Sequence, residues 1–147
     1  MGGIFAKQMR DTIVNTMKDV STSEAVHRIS RTIYDKCLDN ADQILFGTED
    51  VKNELINISR YAKTSNAVLW WSNAIYSIIQ KNTNNTALFG TEDVRNAFVN
   101  ISRYATTQPA VLSWSNTIFY ITFRNNNNQS LFCTEAVRDS NHLKNLI

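Results

Sequence analysis

His27 and His142 are the two histidines of the chain, and neither has a carboxylate or cysteine neighbour at a metal-binding or catalytic spacing. Both are expected to be solvated. Cys37 and Cys133 lie far apart in sequence, with no zinc spacing and no disulfide framework. That usage suits a reducing compartment, so a cytoplasmic location is expected. Serines and acids are present, but no nucleophile elbow, phosphate loop or metal signature surrounds them. No enzymatic activity, no cofactor and no metal are therefore expected.

The chemistry left to such a chain is non-covalent. Asparagine is abundant, and its amide both donates and accepts, so asparagines in a row can pair with the backbone of an extended peptide. The run Asn125–Asn128 reads as compositional bias in a loop. The sequons at Asn57, Asn84, Asn100 and Asn128 follow from that abundance. At the N-terminus, Met1-Gly2-Gly3-Ile4-Phe5-Ala6-Lys7 offers Gly2 as an acceptor for a myristoyl group once Met1 is removed. Ala6 stands where Ser or Thr is usual. The string resembles the start of Arf-type small GTPases, which implies a membrane surface as a partner. One acyl chain alone gives marginal binding. Lys7, Arg10 and Lys18 add little to it, because Asp11 and Asp19 offset them.

These residues must be positioned by a chain of 147 residues, enough for one compact domain with its own core. A hydrophobic fraction of 43% and a charged fraction of 19% describe an ordinary globular protein. The net charge of +2 is too small to imply nucleic-acid binding, and cations are scattered among acids, so no nucleic-acid partner is expected. No apolar run is long enough to cross a bilayer, and the N-terminus lacks the apolar core of a secretory leader. With four Gly and one Pro, few positions break regular structure, which favours helices.

Self-similarity organises the sequence. Leu45–Ala87 aligns with Leu88–Ser130 without a gap, with 26 identities over 43 positions. LFGTEDV at 45–51 returns at 88–94, ISRYA at 58–62 returns at 101–105, and LFCTEAV begins a further copy at 131–137. Phe46, Phe89 and Phe132 are spaced by 43 residues each time. An earlier, diverged copy matches Ala25, Val26, Ser30, Ile33 and Tyr34 to Ala67, Val68, Ser72, Ile75 and Tyr76. Ile4 and Phe5 then fall near the places of Leu45 and Phe46, after a gap of one or two residues. The expected plan is a single domain, 1–147, of repeats at about 4–44, 45–87 and 88–130, closed by a partial repeat or cap at 131–147. Three repeats are about the minimum for a stable stack, because one cannot bury its own apolar face.

Each repeat reads as two main helices. Thr48 and Thr91 are N-caps for the first, with acids in the first turn, where the helix dipole favours negative charge. Val51, Leu55, Ile58 and Ala62 form its apolar stripe. The second helix begins near Ser65 or Thr107, and Pro109 fits because it lies in the first turn. Its stripe is Val68, Trp71, Ile75 and Ile78, or Val111, Trp114, Ile118 and Ile121, so both tryptophans are expected in the core. An Asn-rich link and a short apolar turn follow. Gly47 and Gly90 are expected to give that turn a left-handed backbone. At the end of the chain Asn141 and Lys144 replace Phe98 and Ile101, as a polar cap would.

The period and pattern resemble the armadillo/HEAT class of helical repeats, and the local match is closer to armadillo. AVLWWSNAI at 67–75 and AVLSWSNTI at 110–118 look similar to that family's third helix, and NNTALFG at 84–90 to its link and short first helix. The resemblance implies an all-α, right-handed helical-repeat solenoid that binds another protein or peptide. In the family the third helices line a concave groove. Carried over, the groove candidates are Arg28, Arg31 and Asp35, then Trp70, Asn73 and Ser77, then Ser113, Asn116 and Tyr120. Peptide-binding members often carry Trp four residues before the Asn; here Leu69 and Leu112 stand there, which speaks against a Trp–Asn array for basic peptides. Two readings of Trp70 stay open, an exposed anchor for a partner or packing against the neighbouring repeat. The expected role is a scaffold or adaptor. A myristoylated peripheral membrane module and a structural subunit of a larger assembly are the alternatives.

Overall fold

Threonine and asparagine caps set where the helices begin. Thr22, Thr48, Thr64, Thr91 and Thr107 all have extended backbones and accept a hydrogen bond from the N–H three residues on. Thr134 does the same for Val137 N–H at 3.3 Å. Asn82 and Asn125 cap the short link helices in the same way. Such caps are each worth about 1 kcal/mol.

The computed structural model describes residues 2–38 and 40–140. Among these the chain is all-helical: α1 (Gly2–Lys18), α2 (Ser23–Lys36), α3 (Asn40–Phe46), α4 (Glu49–Ser59), α5 (Ser65–Ile79), α6 (Thr83–Phe89), α7 (Glu92–Ile101), α8 (Gln108–Thr122), α9 (Asn126–Phe132) and α10 (Glu135–Ser140), with a 3-10 turn at Ser102–Tyr104. The closing cap expected at Asn141 and Lys144, and His142, lie outside the described residues.

α2 packs against α5 and α5 against α8, while α1, α4, α7 and α10 pack in sequence alongside. The core lies between these two rows. Val51, Leu55, Ile58 and Ala62 are buried there, as are Val68, Trp71, Ile75 and Ile78. So are Phe46, Phe89 and Phe132. Burying a side chain of this size contributes roughly 1.5–3 kcal/mol. Trp71 Nε1 donates to Leu55 O and Trp114 Nε1 to Phe98 O, both at 2.8 Å, so each indole ties its helix to the preceding main helix.

Hydrogen bonds between successive copies repeat as well. Ser23 Oγ donates to Tyr61 O and accepts from Lys63 N–H; Ser65 Oγ makes the same two bonds with Tyr104 O and Thr106 N–H. Asn85 Nδ2 donates to Ile78 O and to Gln43 O, and Asn128 Nδ2 to Ile121 O and to Thr86 O.

Two expectations are corrected. Gly47 and Gly90 are not left-handed: no glycine has a positive φ, and Gly90 sits at φ −81°. Their role is steric. A Cβ on Gly47 would lie 2.0 Å from Asn85 Oδ1, and one on Gly90 1.7 Å from Asn128 Oδ1. The missing side chain is the space that the asparagine near the end of the same copy fills. Ile4 and Phe5 also do not occupy places like those of Leu45, which is partly buried, and Phe46, which is buried. α1 runs straight through that stretch, and both residues are 72% exposed. A continuous helix cannot turn them inward as a short helix and link do.

Candidate protein-binding surface

The sequence-derived candidates fall on the row formed by α2, α5 and α8, but not all of them face outward. Trp70 is half-buried against α2. His27 stacks on it at 6.1 Å and 7°, Tyr34 meets it edge-on at 5.5 Å, and the Arg31 guanidinium lies over its ring at 5.0 Å. Of the two readings of Trp70, packing against the neighbouring copy is the one this geometry supports. Arg31 is exposed on its outer side. Arg28 is more open still and pairs with Glu24 at 3.1 Å, one turn away.

Ser113 and Ser77 were expected to be exposed and are buried. Ser113 Oγ donates to Asn73 Oδ1, which occupies the carbonyl of one of the two groove asparagines. Ser77 Oγ donates to Ala74 O at 2.7 Å and also hydrogen-bonds Cys37. The physical reason is close approach of successive helices: Ser72, Ala74, Ser77, Ser113 and Thr117 are small side chains buried in the row. Thr117 Oγ1 lies 3.1 Å from Ser72 O. Burial likewise pushes the Cys37 thiol up to about 12.

Asn116 and Tyr120 do lie on the surface, and α8 carries more apolar surface around them than its sequence alone suggests. Phe119 is 54% exposed, Phe123 48% and Leu112 37%. Tyr120 packs on Tyr76 at 5.2 Å and on Phe119 at 5.3 Å, and Phe119 meets Phe123 at 5.4 Å. In α5 the counterparts of Leu112, Phe119 and Phe123 are Leu69, Tyr76 and Gln80, which are partly covered by α8.

Two cations complete the surface. Gln80 (φ −57°, ψ 131°) is followed by Lys81 at φ 53°, and Asn82 N–H bonds back to Ile79 O at 3.1 Å. Phe123 (φ −62°, ψ 120°), Arg124 (φ 57°) and the bond from Asn125 N–H to Thr122 O at 3.2 Å repeat the arrangement. Both are type II turns, whose third residue is ordinarily Gly or Asn. A side chain there costs roughly 1–2 kcal/mol relative to glycine. Lys81 and Arg124 line one recess of about 490 Å3 together with Tyr120 and Phe123. Sequence reading missed Phe119, Phe123, Lys81 and Arg124. The signal that could have found them is the absence of Asp and Glu from 55–91 and from 94–134.

Gly2 is the first residue of α1, on the other row. Among the described residues no helix is long and apolar enough to cross a membrane. Comparison with family models, with curated proteins and with solved structures returned no match.

Proposed function

We propose that the chain is an armadillo-like helical-repeat scaffold, a right-handed solenoid that binds a segment of another protein on the α2–α5–α8 row. The solenoid reading is supported by bonds that recur from copy to copy: the Trp71 and Trp114 ties within each copy, and between successive copies the Ser23 and Ser65 bridges and the Asn85 to Gln43 and Asn128 to Thr86 bonds. The observation that carries the binding role is the contiguous open cluster of Phe119, Tyr120 and Phe123 beside Asn116. Single exposed apolar residues are ordinary, whereas a contiguous aromatic patch with polar neighbours marks an interaction site. Affinity capture from the native cell, compared between the wild-type chain and an Asn116→Ala/Phe119→Ser variant of equal thermal stability, tests this. A partner held by the first and released by the second is the expected result. Equal retention of every captured protein by both would sink the surface assignment.

One observation favours a second reading. Ile4 and Phe5 stand exposed two and three residues after Gly2, in position to enter a lipid surface beside an acyl chain. This reading makes the protein a myristoylated peripheral membrane module. Vesicle sedimentation with and without the acyl group separates it from the scaffold alone, and mass spectrometry showing an unmodified or acetylated Gly2 in native material ends it.

A further inference from the structure

The recess between the ends of α5 and α8 is built of hydrogen-bond donors with no acid to answer them. Lys81 and Arg124 both line it, both are exposed, and neither takes part in an ion pair among the described residues. Arg124 lies over the Phe123 ring at 5.0 Å, which holds the guanidinium at the recess without neutralising it. Asn82 and Asn125 also line it. Each spends its side-chain oxygen as a helix cap, and their amide nitrogens, which only donate, have no partner among the described residues. The wall between these donors is apolar and aromatic, formed by Ile79, Tyr120 and Phe123.

The backbone shows that the cations are not incidental to the turns. Glycine is the unstrained residue at the third position of a type II turn, yet the two successive copies place Lys81 and Arg124 there. Attraction to the helix dipole would favour a cation near these C-termini, but a Lys or Arg inside the last helical turn would satisfy the dipole without a positive φ. α5 and α8 have no basic residue in the last turn. The charge is held instead just beyond the helix, at the mouth of the recess, and strained backbone of this kind clusters where a ligand is met.

We propose that this recess binds the acidic stretch of a partner protein segment, with Lys81 and Arg124 each receiving a carboxylate and the Tyr120–Phe123 wall receiving an apolar side chain between them. The inference rests on the protein-binding reading above and adds the chemistry of the partner. The residues that line the recess lie within the acid-free stretches 55–91 and 94–134, so no carboxylate of the lining opposes such a segment.

The test is a display selection of random-sequence peptides on the whole chain, followed by measured affinities. Selected peptides should be enriched in Asp and Glu adjacent to an apolar residue, and their affinity should fall with added salt. Lys81→Gly/Arg124→Gly suits the turns, so its melting temperature should equal or exceed that of wild type, while acidic peptides bind it at least about tenfold more weakly. Lys81→Arg should keep the binding. Acid-free peptides, or acidic ones that bind the glycine variant as tightly as wild type, overturn the inference and leave the scaffold reading standing if Asn116→Ala/Phe119→Ser still releases them. A selection in which no peptide distinguishes wild type from that second variant overturns the scaffold reading itself. A single-stranded oligonucleotide that binds where peptides do not, and is lost on the glycine substitutions, overturns the inference in favour of a nucleic-acid ligand.

Discussion

The outer faces of α2 and α8 occupy equivalent positions at opposite ends of one row and are unlike in chemistry. α5 turns Trp70, Ala74 and Ser77 toward α2. Their counterparts on α2, pointing away from the stack, are Arg28, Thr32 and Asp35, all polar and all exposed. α5 turns Leu69, Asn73 and Tyr76 toward α8, and their counterparts on α8 are Leu112, Asn116 and Phe119, two of them large, apolar and exposed. One end presents polar side chains and the other large apolar ones. A repeat therefore does not determine its own surface. The same backbone position is core, rim or open surface according to what its register meets.

The sharpest way to break this comparison lies inside the stack. Gly90→Ala should cost on the order of 3 kcal/mol, because its Cβ would overlap the buried Asn128 side chain. Cys133 sits 43 positions later with nearly the same backbone, φ −83° and ψ 61°, and carries a side chain with its thiol exposed. Cys133→Ala should leave the unfolding midpoint unchanged. Urea titrations of both variants measure the contrast, and an equal loss from the two would erase the distinction between interior link and end.

Next in size is Trp114→Phe, expected to cost about 1 kcal/mol through loss of the bond to Phe98 O, with a like effect for Trp71→Phe. The first copy has Ile29 in this place and cannot have such a tie. Ser72→Ala should lie within about 1 kcal/mol of wild type or be slightly stabilising, since Ser72 Oγ is buried without a hydrogen-bond partner. A clear loss there would point to a polar contact along the row.

Smallest in stability, though most telling about the ends, are the outer-face variants. Arg28→Ala removes an exposed ion pair and should change stability by less than about 0.5 kcal/mol. Phe119→Ser/Phe123→Ser should be similarly mild, yet lower the fluorescence of a hydrophobic dye bound to the native protein; Arg28→Ala should not. The thiols give a matching contrast. Cys133 should react with a disulfide reagent at neutral pH, whereas Cys37 should stay protonated and protected. Burial raises Cys37 above the ordinary thiol value of 9.0, to about 12. Below pH 9 both folded and unfolded chains keep that proton. Above it the unfolded chain loses the proton first, so the contribution of Cys37 to stability falls as pH rises. Cys37→Ala should flatten that alkaline slope.

What could be read from the sequence was what neighbours within one copy decide. The threonine caps, the stripes through Val51, Leu55 and Ile58 and through Val68, Trp71 and Ile75, and Pro109 in its first turn all depend on residues a few positions apart. What could not be read depends on residues about 40 positions away. Ser113 is polar and sits where a groove residue was expected, but α5 covers it. Gly47 seemed to be a turn residue, and its real constraint is Asn85. Phe119 and Phe123 continue a helical apolar pattern, and only the absence of a further covering helix among the described residues makes them surface.

The glycine–asparagine insertions also bear on how such a chain can change over generations. Each fixes a residue near the start of a copy against one near the end of the same copy, so a single insertion or deletion between Gly47 and Asn85, or between Gly90 and Asn128, would pull the pair out of step. The second and third copies, which both carry such a pair, align without a gap. The first copy, whose long α1 runs through the stretch where a link glycine would stand, is free of that constraint, and it is the one whose length has wandered.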